Sequence, residues 1–325
     1  MQTMRAAVLR EPGGPEQLRL ESVSVPAVNR DQVLIRVKAF GLNRSEMFTR
    51  QGHSPDVKLP RILGIEAVGT VEEAPGNGFR KGDTVATVMG GMGRSFDGSY
   101  AEYTVVPASQ VLAVQTELPW EVFGALPEML QTAWGALHTS LELQTGERLL
   151  IRGGTSSIGL ASMALAKSVG AFVSSTTREP GRASFLRDHG ADEVFIDTGN
   201  IQGQVRHAHP EGVDKVLELV GTSTLLDSMR CARKQGVVCE AGIVGNEWSI
   251  KEFNPAVAIP TAVHLTTYGG TSADLLQMPF ETLTMHVATG ALRIPLAKNF
   301  HLEEIAKAHR YMEENKALGK IVVLT

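Results

Sequence analysis

Between Ile151 and Ala161 the chain reads IRGGTSSIGLA, with glycines at 153, 154 and 159 and hydroxyl side chains at 155, 156 and 157. Taken from Gly154, the spacing is G-x-G-x-x-G with Ser156 in the middle position. Residues of this kind suit an anion. Small side chains let backbone N–H groups approach it, and a helix starting here directs its unbonded N–H groups and the positive end of its dipole outward. Gly154 permits a tight turn, Gly159 lets the helix pack close to the strand, and Ser156 can approach a phosphate while offering a hydroxyl. Gly153, Gly154, Thr155, Ser156, Ser157, Ile158 and Gly159 are therefore candidate pyrophosphate-binding residues. The alternative is an ordinary strand-to-helix turn with no ligand.

About 20 residues beyond the first glycine, a site for NAD places Asp or Glu on the ribose. No acid occurs from Ala171 through Arg178; Ser175, Thr176, Thr177 and Arg178 come in a row, with Arg182 one helical turn on. A guanidinium grips phosphate as a fork. Ser175, Thr177, Arg178 and Arg182 thus favour NADPH over NADH, and Glu179 next door leaves some use of NADH open.

Such a loop needs a strand before it and a helix after it. ERLLIRGG precedes it and LASMALAKSVG follows. The stretch continues with AFVSSTT, GRASFLRDHG, EVFID, VDKVLELV, TLLDSMRCARKQG and GVVCEAGIVG. Apolar strands alternating with amphipathic helices predict an α/β domain with a doubly wound parallel sheet. The first third differs: MRAAVLRE, QVLIRVKAFGLN, EAVGTVEEA, GDTVATV and SYAEYTVVP are short β-like runs split by Gly, Pro and Asn, the pattern of an irregular antiparallel β domain. EVFGALPEMLQTAWGALHTSLEL reads as helical with an interruption at Pro127, and DLLQMPFETLTMHVATG and LEEIAKAHRYMEENKALG as helices. The last run, KIVVLT, is free to return to the first β domain and make it discontinuous.

Composition bounds the rest. The 325 residues are 43% hydrophobic and carry a formal charge of −4, which gives no grip on nucleic acid. No apolar run approaches the ~18 residues of a membrane span, and MQTMRAAVLREPGG lacks the layout of a secretory signal. Cys231 and Cys239 are too few for a disulfide framework or a four-cysteine zinc lobe; they read as buried, reduced thiols. A cytoplasmic protein without membrane or nucleic-acid partners is the expectation.

Taken together, GLNRSEMFTRQG, LPRILGIEAVGTV, GDTVA, GSYAEYTVVP, LQTAWGAL, RGGTSSIGLA, GADEVFID, VLELVG and AHRYMEENKALGKIVV resemble the zinc-free quinone oxidoreductase branch of the medium-chain dehydrogenases/reductases, nearly end to end. The resemblance implies a GroES-like β domain made of residues 1–122 and 270–325 and a Rossmann NADP-binding domain of residues 123–269. It also implies a homodimer joined through AVHLTTYG. Laid over zinc-dependent relatives, the first cysteine ligand falls on Asn43, the histidine on Ile65 before Glu66, and the second cysteine on Glu128. Those residues make a poor zinc site, so no metal is expected.

By position, Asn43 matches the active-site asparagine, a donor to an acceptor carbonyl, and Thr132 the threonine near the nicotinamide. Gly221, Gly242 and Val244 fall along the cofactor trough, and Tyr268 falls near the nicotinamide or the dimer edge. Glu46 and Phe48 replace the Asp and Tyr of many relatives, and Thr198 replaces a tyrosine. Without a Lewis acid a simple ketone is hard to polarise, whereas a quinone or conjugated carbonyl spreads the incoming charge itself. The expected activity is zinc-independent hydride transfer from NADPH to a small-molecule quinone or other conjugated carbonyl. The alternatives are an enone or enoyl-thioester reductase, and a crystallin-like nucleotide binder with little turnover.

Overall fold

Short apolar runs become strands throughout the first third of the chain. The computed structural model describes residues 2–76 and 78–325. The chain folds as two units, one of Met1–Gln131, Thr271–Ala291 and Leu296–Thr325, the other of Thr132–Gly270 and Leu292–Pro295.

In the first unit β1 (Thr3–Leu9) pairs antiparallel with β2 (Leu18–Ser24), and β3 (Gln32–Gly41) is the longest strand. β4 (Arg61–Ile62) pairs with β1. β5 (Glu66–Glu73), β6 (Thr84–Val88), β7 (Tyr103–Pro107) and β8 (Val111–Ala113) complete the N-terminal part, all antiparallel to their neighbours. β3 pairs with both β5 and β7, which is why it is buried along most of its length. Val33, Ile35, Val71, Val85, Met92, Val106 and Val111 form one core cluster. Beside it Phe40 stacks on Tyr100 at 4.8 Å between ring centres.

The second unit holds β9 (Arg148–Arg152), β10 (Phe172–Thr177), β11 (Glu193–Ile196), β12 (Val213–Glu218), β13 (Ala232–Glu240) and β14 (His264–Thr267). They form one parallel sheet in the order β11-β10-β9-β12-β13-β14. The order reverses between β9 and β12, the point where doubly wound sheets bind ligands. Leu149–Arg152 of β9 and Val173–Thr177 of β10 are buried, as expected where helices cover a parallel sheet.

The tail returns to the first unit. β15 (Leu296–His301) lies parallel to β16 (Lys320–Leu324), and β16 pairs antiparallel with β3, Val322 opposite Gly41. The seven-stranded sheet runs β15-β16-β3-β5-β6-β8, with β7 also on β3. Two local readings change. The single helix expected over DLLQMPFETLTMHVATG is two, Ser272–Gln277 and Phe280–Ala288, because Pro279 has no N–H to continue the first. β15 has no apolar alternation in LAKNFH and carried no strand signal.

One interior charge holds the strand ends of the second unit together. Arg152, the last residue of β9, is fully buried. Its Nε and Nη2 donate to the two oxygens of Asp197 at 2.8 and 2.9 Å. Its Nη1 donates to Asp227 Oδ2 at 2.7 Å, Ser228 Oγ at 3.1 Å and the Thr224 carbonyl at 3.2 Å. The segment after β11 and the helix Thr222–Cys231 are thereby tied to the end of β9. Removing one partner of such a network leaves buried charge uncompensated. Arg152→Met is expected to cost about 3–5 kcal/mol of stability, measured by urea unfolding. Arg152→Lys should recover only part of it, since a lysine cannot make the fork.

Candidate functional site

The loop after β9 is built as an open helix end. Gly153 takes φ +91, a left-handed conformation that glycine adopts without strain, and turns the chain out of the strand. The helix Ser157–Ser168 begins four residues on, with Ser156 as its cap. The Ser156 hydroxyl donates to the Gly153 carbonyl at 2.8 Å and accepts from the Gly159 N–H at 3.1 Å. Its proton therefore serves the loop, where the sequence pattern offered it to a phosphate. Gly154 N donates to the Thr176 carbonyl and Gly153 N to the Thr176 hydroxyl. A Cβ at Gly159 would lie 2.7 Å from the Gly153 carbonyl oxygen, so the helix can pack this close only with glycine. Ser157 and Ile158 N–H, in the first helical turn, have no acceptor among the described residues; with Thr155 they lie half-buried at the opening. Such donors are the anion-binding part of a helix end.

Across the loop lies the end of β10. Ser175 is fully buried with no hydrogen-bond partner for its hydroxyl among the described residues, and a Cβ on Gly154 would overlap it. Thr177 closes a local turn, accepting from Glu179 N at 3.1 Å. Arg178 is exposed, while Arg182 pairs with Glu179 at 2.7 Å. Arg178 also lies close enough to Asp197 to help hold that carboxyl below its ordinary value; burial pushes it up, and Arg152 chiefly overcomes this.

At the ends of β12 and β13 the chain is drawn together. Glu218, buried, accepts from Val220 N at 2.7 Å and Gly221 N at 3.0 Å. Val244 N donates to the Leu219 carbonyl at 3.1 Å, and a Cβ on Gly242 would lie 2.7 Å from that oxygen. The structure thus brings Gly153, Gly221, Gly242 and Val244 to one end of the sheet. Tyr268 follows β14, its ring against Gly135, where a Cβ would overlap it. Thr132 is buried in the helix Pro127–Gly135.

In the first unit, Asn43 and Glu46 sit at the start of the helix Arg44–Arg50 and Glu66 at the start of β5. Asn43 Nδ2 donates to Glu66 Oε1 at 3.0 Å and Glu46 Oε1 at 3.3 Å. Its Oδ1 accepts from Lys320 Nζ at 2.5 Å. Lys320, fully buried, also meets Glu66 Oε1 at 2.9 Å and Glu128 Oε2 at 3.2 Å. Burial works against the ammonium, but Glu66 and Glu128 outweigh it and hold Lys320 above its ordinary value. Burial pushes Glu66 up, with Lys320 pulling it back. Both polar ends of Asn43 are thus engaged, and its contact to Glu46 is the longest of the three.

Glu46 is buried, and its Oε2 has no hydrogen-bond partner among the described residues. Burial pushes it up to about 8, and the charge of Glu66 adds to this. It is therefore a neutral acid near pH 7. One helical turn on, buried Arg50 donates from Nε to His309 Nδ1 at 3.3 Å and forms an ion pair with Glu313. His309 Nε2 meets the Tyr100 hydroxyl at 2.9 Å. Burial pushes His309 down to about 3, so the imidazole is neutral, Nδ1 accepts, and Nε2 carries the proton. The two cysteines are buried thiols that burial pushes up to about 12.

Residues 29–116 match the family described as alcohol dehydrogenase GroES-like domain, and residues 189–323 the one described as zinc-binding dehydrogenase. A quinone oxidoreductase of Rattus norvegicus is 30% identical over 99% of this chain and 98% of its own length. The chain belongs to the quinone oxidoreductase family of the medium-chain dehydrogenases/reductases. An acryloyl-coenzyme A reductase of Sulfurisphaera tokodaii is 25% identical over 98% of this chain and 99% of its own. A mycobacterial protein solved in complex with NADPH superposes with a TM-score of 0.87, at 25% identity, over 99% of this chain and 100% of that one. The chain is accordingly an oxidoreductase with a nucleotide-binding fold.

Zinc, named in one family description, does not fit the residues present. Asn43, Ile65 and Glu128 offer neither thiolate nor imidazole, and the Lys320 ammonium stands against both carboxylates. No group of three or more His, Cys, Asp or Glu among the described residues is placed to hold a metal.

Sequence reasoning passed over Lys320 and Arg152, although each is a cation set in an apolar run, KIVVL and RLLIR, where only partners make it tolerable. For Glu46 the proton balance gives a test. The ordinary value is 4.5 and the folded one about 8, so the folded state keeps a proton that the unfolded state releases. Stability falls as pH rises between these values and levels off above. The melting temperature of Glu46→Gln relative to the parent should therefore climb from about pH 5 to about pH 8 and then stay constant. A pH-independent difference would mean that Glu46 is ionised in the folded protein.

Proposed function

We propose that this oxidoreductase is NADPH-dependent and zinc-independent, and reduces a quinone or another conjugated carbonyl. The observation that carries the nucleotide reading is the open helix end at Ser157 and Ile158. The glycine turn frames it, and Thr155 and Ser156 lie beside it. The choice of NADPH rests on the end of β10, where Ser175 and Thr177 precede Arg178, with Arg182 beyond and no acid from Ala171 through Arg178. Gly221, Gly242, Val244 and Tyr268 are assigned to the cofactor trough.

NADPH, when bound, supplies the hydride; the proton that completes reduction comes from solvent or a nearby group. Asn43 is assigned to the acceptor carbonyl: exchanging the 3.3 Å contact to Glu46 for the developing oxyanion strengthens as charge builds, as oxyanion donors require. Thr132 is assigned to the nicotinamide side. The acryloyl-coenzyme A reductase relative favours enoyl thioesters as the second acceptor class, since these also delocalise incoming charge through a conjugated carbonyl. We further assign a cytoplasmic homodimer, with β14, at the end of its sheet, as the joining edge.

Nicotinamide fluorescence tests the reading. NADPH should bind more tightly than NADH, and Arg178→Ala should weaken NADPH by roughly 10- to 100-fold while leaving NADH little changed. Binding of neither nucleotide would reduce the loop to a structural turn. Given nucleotide binding, Asn43→Ala should lower kcat/KM for a quinone by at least about 10-fold with nucleotide affinity unchanged.

A further inference from the structure

In the first unit, two carboxylates and an amide oxygen surround one point, and the chain itself fills it. Lys320 Nζ lies 2.9 Å from Glu66 Oε1, 3.2 Å from Glu128 Oε2 and 2.5 Å from Asn43 Oδ1. An ammonium has three hydrogens and no acceptor, so these contacts use all of them. Lys320 is fully buried, as is Glu66.

The lysine stem also has a prepared path. Gly41 of β3 lies opposite Val322 of β16. A Cβ there would overlap Lys320 Cε, come within 3.0 Å of Nζ and fall 2.5 Å from Glu66 Oε1. Side chains on two strands and two helix starts, together with one missing Cβ, are thus arranged around a single positive charge.

We propose that Glu66, Glu128 and the Asn43 Oδ1 form a cation site whose resident is the Lys320 ammonium, and that the lysine keeps a divalent ion out by occupying its place. The donors are all oxygen, a set that suits a hard ion such as Mn2+. Their distances from Nζ exceed those of a small divalent ion by up to about 1.2 Å, a gap that side-chain rotation can close. Withdrawing the ammonium therefore unmasks a divalent site, and two neighbouring carboxylates without a cation supply the drive to fill it. This inference stands apart from the reductase reading, and its test needs neither nucleotide nor acceptor.

The experiment uses full-length Lys320→Ala, with thermal unfolding and Mn2+ paramagnetic resonance as readouts. The parent should bind no Mn2+ here, and its unfolding midpoint should not respond to it. The variant should melt lower than the parent, take up one Mn2+ per chain, and gain roughly 2–4 °C or more on binding. If Lys320→Ala folds only in the presence of Mn2+, that supports the proposal in the same way. The triple variant Lys320→Ala, Glu66→Gln, Glu128→Gln removes the unpaired charges; it should fold and ignore Mn2+. A Lys320→Ala chain that gains nothing from Mn2+, folded or not, overturns the proposal. So does a parent protein that binds Mn2+ as its variant does.

Discussion

Taking an ammonium ion out of water costs several kcal/mol even after the surroundings relax. Lys320 meets that cost with two carboxylates and one amide oxygen. Each partner comes from a different part of the first unit. Asn43 precedes a helix, Glu66 opens β5, and Glu128 lies in the first turn of the helix Pro127–Gly135. Glu66 Oε2 in turn accepts from the Glu128 N–H at 2.9 Å. The arrangement therefore fixes strand and helix starts by charge at the same place where the sheet is closed by β16. Arg152 plays the corresponding part in the second unit, with Asp197 and Asp227 as counter-charges. In both, a cation inside the protein dictates which loops must stay in place.

The same charges sort the acids of the first unit into two kinds. Glu66 and Glu128 face the ammonium directly. Glu46 accepts from the Asn43 amide and the Ile65 N–H, each at 3.3 Å, and burial leaves it protonated near pH 7. A neutral acid and an ion-paired acid thus share one asparagine. The asparagine is held at both ends, so its amide has a defined direction.

The glycine-rich turn after β9 and the alternating sheet were legible because their signals are local. The turn falls on Gly153, at φ +91, one residue before the glycine to which the spacing assigns it, and the serine cap before the helix depends on neighbours a few residues away. The return of the tail was legible from KIVVLT, a strand with no place in the nucleotide-binding repeat. The role of Lys320 was hidden because its partner Asn43 is 277 residues distant and a strand-opening lysine looks like any solvated one. Arg152 was hidden inside the motif itself: the glycines beside it drew the reading, while its partners Asp197 and Asp227 stand 45 and 75 residues away. β15 was missed because half its residues are polar, and a strand held by its partner rather than by its own pattern leaves no periodic trace.

The position of β16 also bears on how the chain is made. Synthesis proceeds from the N-terminus, so Asn43, Glu66 and Glu128 all leave the ribosome before Lys320 does. Until then their acids have no counter-ion, and β3 lacks the strand that pairs with Val322, Val323 and Leu324. The six strands of the second unit, ending at Thr267, are complete earlier. The unit that starts first is therefore the one that finishes last, and the nascent chain must carry a half-closed sheet with exposed acids through most of its translation. Acids that remain hydrated and ionised during that interval give the unfinished sheet a negative charge, which opposes premature pairing with another copy of itself.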